Sequence, residues 1–336
     1  MGMRVVQVMT FGGPEVLVPG QVPEPVAGPG EAVISVSAAD VMFIDTLLRS
    51  GWGTEFFAVQ PPYVPGAGVA GVVSSVGVGV DAGWVGRDVV AGTGERDRDG
   101  RSTAPTGGYA ERAVVPAGQL IGIPVGVEQR EAVALLHDGP TALQLLDVAG
   151  VRAGDWVLVA AAAGGAGVLL VQLLRALGAR VIGAARGGRK LALVGELGAE
   201  AVVDYSEPGW TDRVRDTTGG RGVDVILDGA GGPTGEQAFE SIASGGRFIT
   251  YGSSSGEFAE IDHQQASDRR VHVTGLLDLP SLNPMARKAL VERTLEEAVN
   301  GRIRPVIGQT FPLEHAAEAH AAIAARSTLG KTLLVI

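Results

Sequence analysis

The stretch Asp155-Trp-Val-Leu-Val-Ala-Ala-Ala-Ala-Gly-Gly-Ala-Gly-Val-Leu-Leu170 decides how this chain is read. Trp156 to Ala160 is apolar and rich in Val, which predicts a buried strand. Gly164, Gly165 and Gly167 then interrupt the run, and from Val168 to Leu177 the residues suit a helix. A strand, a glycine turn and a helix N-terminus together form an anion site. Backbone N–H groups point outward there, and the helix dipole favours a pyrophosphate. Glycines let the backbone approach the phosphates and let helix pack on strand. Trp156 to Leu174 spans 19 uncharged residues, long enough for a membrane helix by hydropathy alone. The glycines divide it into two unlike halves, so a buried βα unit is expected instead.

Downstream the same rhythm repeats. Strands are expected at Arg180–Ala184, Ala201–Asp204, Val223–Leu227 and Gly246–Tyr251, with a sixth at Val271–Thr274. Helices are expected at Lys190–Leu197, Trp210–Thr217 and Gly235–Ile242, and upstream at Glu128–His137 and Thr141–Ala149. Alternation of this kind builds a parallel sheet covered on both faces. Residues 1–126 read differently. Short alternating runs such as Glu31–Ser37, Val69–Val76 and Asp88–Ala91 lie between turn signals, so a mostly β domain is expected. The tail, 304–336, should complete that domain with a helix Leu313–Ala325 and a strand Lys331–Ile336, leaving 127–303 to the parallel sheet. The polar stretch Gly92–Gly108, with Glu95-Arg-Asp-Arg-Asp99, reads as a solvated loop.

Composition narrows the function classes. The formal charge is −10, which argues against nucleic acid or an anionic membrane as partner. There is no Cys and there are five scattered His, so disulfides and thiolate metal sites are excluded and no metal site is expected. Redox chemistry would need a bound cofactor. The N-terminus lacks the apolar run of a signal peptide, and a cytoplasmic protein acting on a small molecule is expected.

The second strand discriminates the cofactor. A site for NAD places Asp or Glu about 20 residues after the glycines, to bind the ribose hydroxyls. Here the strand ends Gly183-Ala-Ala185 without an acid, and Arg186, Arg189 and Lys190 follow. Cations attract a 2′-phosphate, and cations at a helix start otherwise gain nothing from the dipole. Arg186 and Lys190 therefore predict NADPH.

With these residues in view, the chain resembles the zinc-independent quinone oxidoreductases of the medium-chain dehydrogenase/reductase superfamily, and is similar to polyketide enoyl reductases. Ala161-Ala-Ala-Gly-Gly-Ala-Gly167 resembles their NADPH loop. Val41-Met-Phe-Ile-Asp-Thr-Leu-Leu-Arg-Ser-Gly51 resembles their segment beside the nicotinamide. In Val64-Pro-Gly-Ala-Gly-Val-Ala-Gly-Val-Val73, Ala67 and Gly68 stand where zinc alcohol dehydrogenases carry His and Glu. The resemblance implies a GroES-like, mostly β catalytic domain plus a Rossmann domain with a doubly wound parallel sheet. It also implies cofactor contacts at Met42, Thr141, Ala163, Gly164, Gly165, Ala166, Gly167, Tyr205, Gly252, Ser253, Ser254, Leu276 and Lys331, and a homodimer joined near Val271–Leu277. Phe43, Leu47 and Tyr63 fall on the substrate side. The sequence departs from the pattern at Met42, Leu47 and Ala160, where Asn, Tyr and His are usual.

Two residues stand out as proton donors. Asp45 keeps the family position, though it could equally accept backbone N–H groups. His137 follows a helix and precedes Asp138-Gly-Pro140, where the helix dipole alone would favour it. Tyr63 could donate or simply pack, and Leu276 could touch the cofactor or belong to the core. The expected activity is zinc-free hydride transfer from NADPH to a quinone or conjugated enone, which asks little of protein acid–base groups. An enoyl reductase acting on a biosynthetic or carrier-bound intermediate is the neighbouring reading. A non-redox protein that keeps the fold and cleft is the alternative the apolar substitutions allow.

Overall fold

The computed structural model describes residues 2–93 and 106–336. The charged run expected as a solvated loop therefore lies largely outside the described residues.

In chain order, β1 (Gly2–Val8) and β2 (Leu17–Pro23) pair antiparallel. Then come β3 (Glu31–Val41), α1 (Phe43–Ser50), β4 (Gly68–Val76), β5 (Asp88–Gly92), β6 (Arg112–Pro116), β7 (Ile121–Gly122) and α2 (Gln129–Leu135). The glycine-turn region follows: α3 (Asp138–Ala149), β8 (Trp156–Ala160), α4 (Gly165–Ala176), β9 (Arg180–Ala185), α5 (Gly188–Glu196), β10 (Ala201–Asp204) and α6 (Trp210–Thr217). Next are β11 (Val223–Asp228), α7 (Gly232–Glu240), β12 (Ile242–Thr250), α8 (His263–Asp268) and β13 (His272–Thr274). The chain closes with α9 (Pro284–Val299), β14 (Ile307–Pro312), α10 (Ala316–Ala324) and β15 (Lys331–Val335).

These elements form two compact units. One takes Met1–His137, Pro284–Val299 and Pro305–Ile336; the other takes Asp138–Asn283 and Asn300–Arg304. The first unit thus includes α2 and α9, both from within 127–303. Its main sheet runs β14-β15-β3-β4-β5-β7, with β6 also on β3. Alternate residues of these strands fill a core around Ile34, Val73, Tyr109, Leu120 and Leu334. Sequence reading passed over α9 because only Val291, Thr294 and Leu295 are buried along it, a stripe too narrow to stand out among its charges.

The second unit holds six parallel strands in the order β10-β9-β8-β11-β12-β13, the doubly wound arrangement of a Rossmann sheet. Every residue of β8 is buried, as a central parallel strand requires. Each buried Val or Leu there contributes about 1.5–3 kcal/mol. The 19-residue uncharged stretch is strand, turn and helix, and no helix among the described residues is long and apolar enough to cross a membrane. Helix α4 starts at Gly165 rather than Val168, so two of the glycines already belong to its first turn.

Candidate active site

The order of the second sheet reverses between β8 and β11, and the crevice at such a switch point is where open α/β sheets bind ligands. The glycine turn leaves β8 at this point. Ala161 takes φ 59°, a left-handed conformation that a residue with a Cβ adopts at a cost. Gly164 caps α4 with no side-chain bond to its first N–H groups, which remain available to an anion. A methyl at Gly167 would come within 2.5 Å of the Ala161 carbonyl and 2.7 Å of the Ala162 carbonyl, so only glycine lets α4 approach its strand. At Gly165 the nearest group is a side chain, with Asp138 Oδ2 only 2.1 Å from an added methyl. Helix α3, with Thr141 one turn beyond Asp138, thus lies against the turn. Ala163 is buried and Ala166 half-buried beside it.

The end of β12 comes to the same edge. Tyr251 N–H donates to the Asp228 carbonyl at 2.9 Å and Ser254 N–H to the Gly229 carbonyl at 3.2 Å, which sets Gly252, Ser253 and Ser254 beside the end of β11. Asp228 receives Ala230 and Gly231 N–H at 3.0 Å each, so it holds a turn. Burial still pushes its carboxyl up to about 6 against those two donors.

The adenosine end holds an acid that the sequence reading passed over. No acid ends β9, yet Asp204 at the end of β10 lies alongside, in register with Ala185. Its Oδ2 accepts Gly187 N–H at 2.7 Å, and its Oδ1 accepts Ser206 N–H at 2.9 Å and the Ser206 hydroxyl at 2.5 Å. Burial pushes the carboxyl up, but the Ser206 and Gly187 donors and the Arg186 charge hold it below the usual range. The exposed Arg186 therefore has an acid in its field, which the sequence reading missed because the acid comes from the neighbouring strand. Lys190 sits in the first turn of α5, and Tyr205 packs edge-on to Trp210. Leu276 is 40% exposed and Leu277 97% exposed, so core packing does not explain the pair. They follow β13, the outer strand of the sheet.

In the other unit Met42, Phe43 and Leu47 are half-buried at the start of α1. Asp45 is 1% exposed and caps that helix: its Oδ2 accepts Met42 N–H at 2.8 Å and the Tyr109 hydroxyl at 3.2 Å. This is the backbone-acceptor alternative. Burial and the nearby charge of Asp40 push the Asp45 carboxyl up to about 7. Tyr109 also lies 2.9 Å from His320 Nε2, and burial, then Arg49, drop that imidazole to about 3. Tyr63 packs with Leu48 and Val59, and burial, then Asp45, raise its phenol to about 12, which makes it a weak acid.

His137 is placed differently from Asp45. Its Nδ1 stands 2.9 Å from Oδ2 of Asp40, a fully buried carboxylate on β3, and its side chain keeps 23% exposure. Lys331 Nζ reaches the same oxygen at 3.1 Å. The Lys331 ammonium, expected at the cofactor, is thus paired within its own unit. Burial alone would raise the Asp40 carboxyl, but Lys331 and then His137 hold it down to about 2. Gly68 makes the room. A methyl there would come within 2.8 Å of both Asp40 Oδ1 and the His137 ring. Asp40 was missed, although an acid inside Ala38-Ala39-Asp40-Val41 is itself a signal, because a charge in an apolar strand needs a partner. Among the described residues no group of three or more His, Cys, Asp or Glu could hold a metal ion.

Comparison with known proteins agrees with this architecture. Residues 28–125 match the alcohol dehydrogenase GroES-like domain family and 197–334 the zinc-binding dehydrogenase family. The chain is 32% identical to a 2-haloacrylate reductase of a Burkholderia species, over 96% of each chain. It is 32% identical to the quinone oxidoreductase of Rattus norvegicus, over 99% of this chain and 98% of the relative. A mycobacterial protein solved in complex with NADPH superposes with a TM-score of 0.87 at 34% identity, covering 99% of this chain and 100% of that one. The chain is an oxidoreductase of the medium-chain dehydrogenase/reductase superfamily and belongs there with the quinone oxidoreductases.

Proposed function

We propose that this protein is an NADPH-dependent, zinc-free reductase of quinones or of double bonds conjugated to a carbonyl. The observation that carries the reading is the glycine turn at the switch point, with uncapped N–H groups on α4 and no space for a side chain at Gly167. Those features fit a dinucleotide pyrophosphate, with Thr141, Ala163–Gly167, Tyr205 and Gly252–Ser254 as its neighbours. When bound, the reduced nicotinamide supplies the hydride. The chain's own residues orient the acceptor and handle one proton. Phe43, Leu47 and Tyr63 form the substrate side, and Met42 and Leu276 meet the cofactor. We assign proton donation to His137 rather than Asp45, which is buried and tied to α1. Relatives named for reduction of quinones and of a haloacrylate support this class of acceptor.

The test is a titration and an assay on the intact protein. NADPH is expected to bind ahead of NADH. Replacing Arg186 and Lys190 together by Ala should weaken NADPH by about a hundredfold or more and leave NADH unchanged, since each of the two lost charge-assisted bonds costs roughly 1.5–3 kcal/mol. Equal loss for both dinucleotides would remove the 2′-phosphate assignment. Dinucleotide binding without oxidation across a broad panel of quinones and enones would favour the non-redox reading. We further propose a cytoplasmic homodimer joined along β13 and the exposed Leu276-Leu277, because an apolar sheet edge invites a two-fold contact. Light scattering should give twice the chain mass at micromolar concentration, and Leu277→Lys should give the monomer.

A further inference from the structure

We infer that Asp40, Lys331 and Gly68 form a positioning device that makes His137 deliver its proton to one face of the reduced substrate. The inference rests on the reductase reading above. The geometry is that of a buried carboxylate holding an imidazole through Nδ1. Asp40 is fully buried, its Oδ2 lies 2.9 Å from His137 Nδ1, and the imidazole side chain keeps 23% exposure. That bond fixes the ring's orientation and turns Nε2 into the nitrogen that exchanges a proton. Lys331, 3.1 Å from the same oxygen, keeps the carboxylate ionised so that it accepts from Nδ1 in either state of the ring. The absent side chain at Gly68 lets ring and carboxylate share one space.

Hydride arriving at the β-carbon of an enone leaves an enolate. The enolate electron pair forms a C–H bond at the α-carbon with the proton on His137 Nε2. The N–H electrons stay on the ring, which becomes neutral imidazole and regains a proton from water. Asp40 holds the ring in place through the transfer.

The test is reduction of 2-methylcyclohex-2-enone by the intact protein with NADPH, scored by rate and by enantiomer ratio at the α-carbon. The parent is expected to give one enantiomer. His137→Gln should lose about a hundredfold in rate and give a mixture, because a positioned acid contributes 10²–10⁴. Asp40→Asn should also give a mixture. If Asp40→Asn does not fold because Lys331 loses this carboxylate, the double variant Asp40→Asn, Lys331→Met removes both buried charges and carries the same expectation. A single enantiomer at the parent rate from both the His137 and the Asp40 variants would overturn the inference and leave the reductase reading standing. No reduction of any enone or quinone by the parent would overturn both.

Discussion

Gly167→Val is expected to abolish dinucleotide binding and to lower the unfolding midpoint more than any other change in the glycine turn. Even a methyl at this position meets backbone at 2.5 Å, and backbone cannot swing aside as a side chain can. The first turn of α4 would have to move off the end of β8, carrying its uncapped N–H groups away from the phosphate position. Overpacking of this sort costs about 1–3 kcal/mol, and a branched side chain against backbone belongs at the upper end. At roughly 2–4 °C per kcal/mol, a fall of several degrees is expected in a thermal melt. Fluorescence titration should show affinity weakened by more than a hundredfold. Gly195→Ala is the control. Nothing lies within 4 Å of an added methyl there, and the site is inside α5, so stability should rise by up to about 1 kcal/mol with binding unchanged. A Gly167→Val protein that melted and bound like the parent would show that the turn does not approach a ligand.

The second large effect is on stability against pH. Asp45 has its carboxyl raised to about 7 in the folded chain, from an ordinary value near 4 in the unfolded one. A raised folded value means the protonated form is favoured by folding. Its contribution is therefore complete below pH 4, declines as pH rises, and is lost on passing through about 7. Asp228, raised to about 6, declines in the same direction over a lower window. Asp40 works the opposite way. Held down to about 2, it stabilises above pH 4 and is lost only in strong acid. Asp45→Asn imitates the protonated carboxyl and still offers an oxygen to Met42 N–H. It should match the parent near pH 4 and exceed it at pH 8 by on the order of 1–3 kcal/mol in urea unfolding. Asp45→Ala loses the helix cap and should be about 0.5–2 kcal/mol less stable than the asparagine variant at every pH. Parallel pH curves for parent and asparagine variant would show that Asp45 is not forced toward its neutral form.

How far each feature was legible follows from how local its cause is. The parallel-sheet unit could be read from residues 155–251 because each strand, turn and helix there obeys a short period. The glycine turn was legible for the same reason, since its demands on φ and on helix approach act within a dozen residues. Boundaries moved where glycines or a cap joined a helix, as at Gly165 and Asp138, and β12 begins at Ile242 rather than Gly246. The sequence by itself also determined the absence of thiolate chemistry, because no Cys is present. Tertiary structure decided the rest. Asp204 reaches Gly187 across 17 residues because β10 lies beside β9, so the acid missing from one strand is supplied near it by the next. His137 meets Asp40 across 97 residues, and Lys331 comes to the same carboxylate from the final strand. Asp45 looked like a catalytic acid by position and became a buried cap once Tyr109 and Met42 closed around it. In each case a charged side chain took its role from the partner that burial forced on it. Such partners are chosen by strand order and packing, over separations that no local pattern encodes.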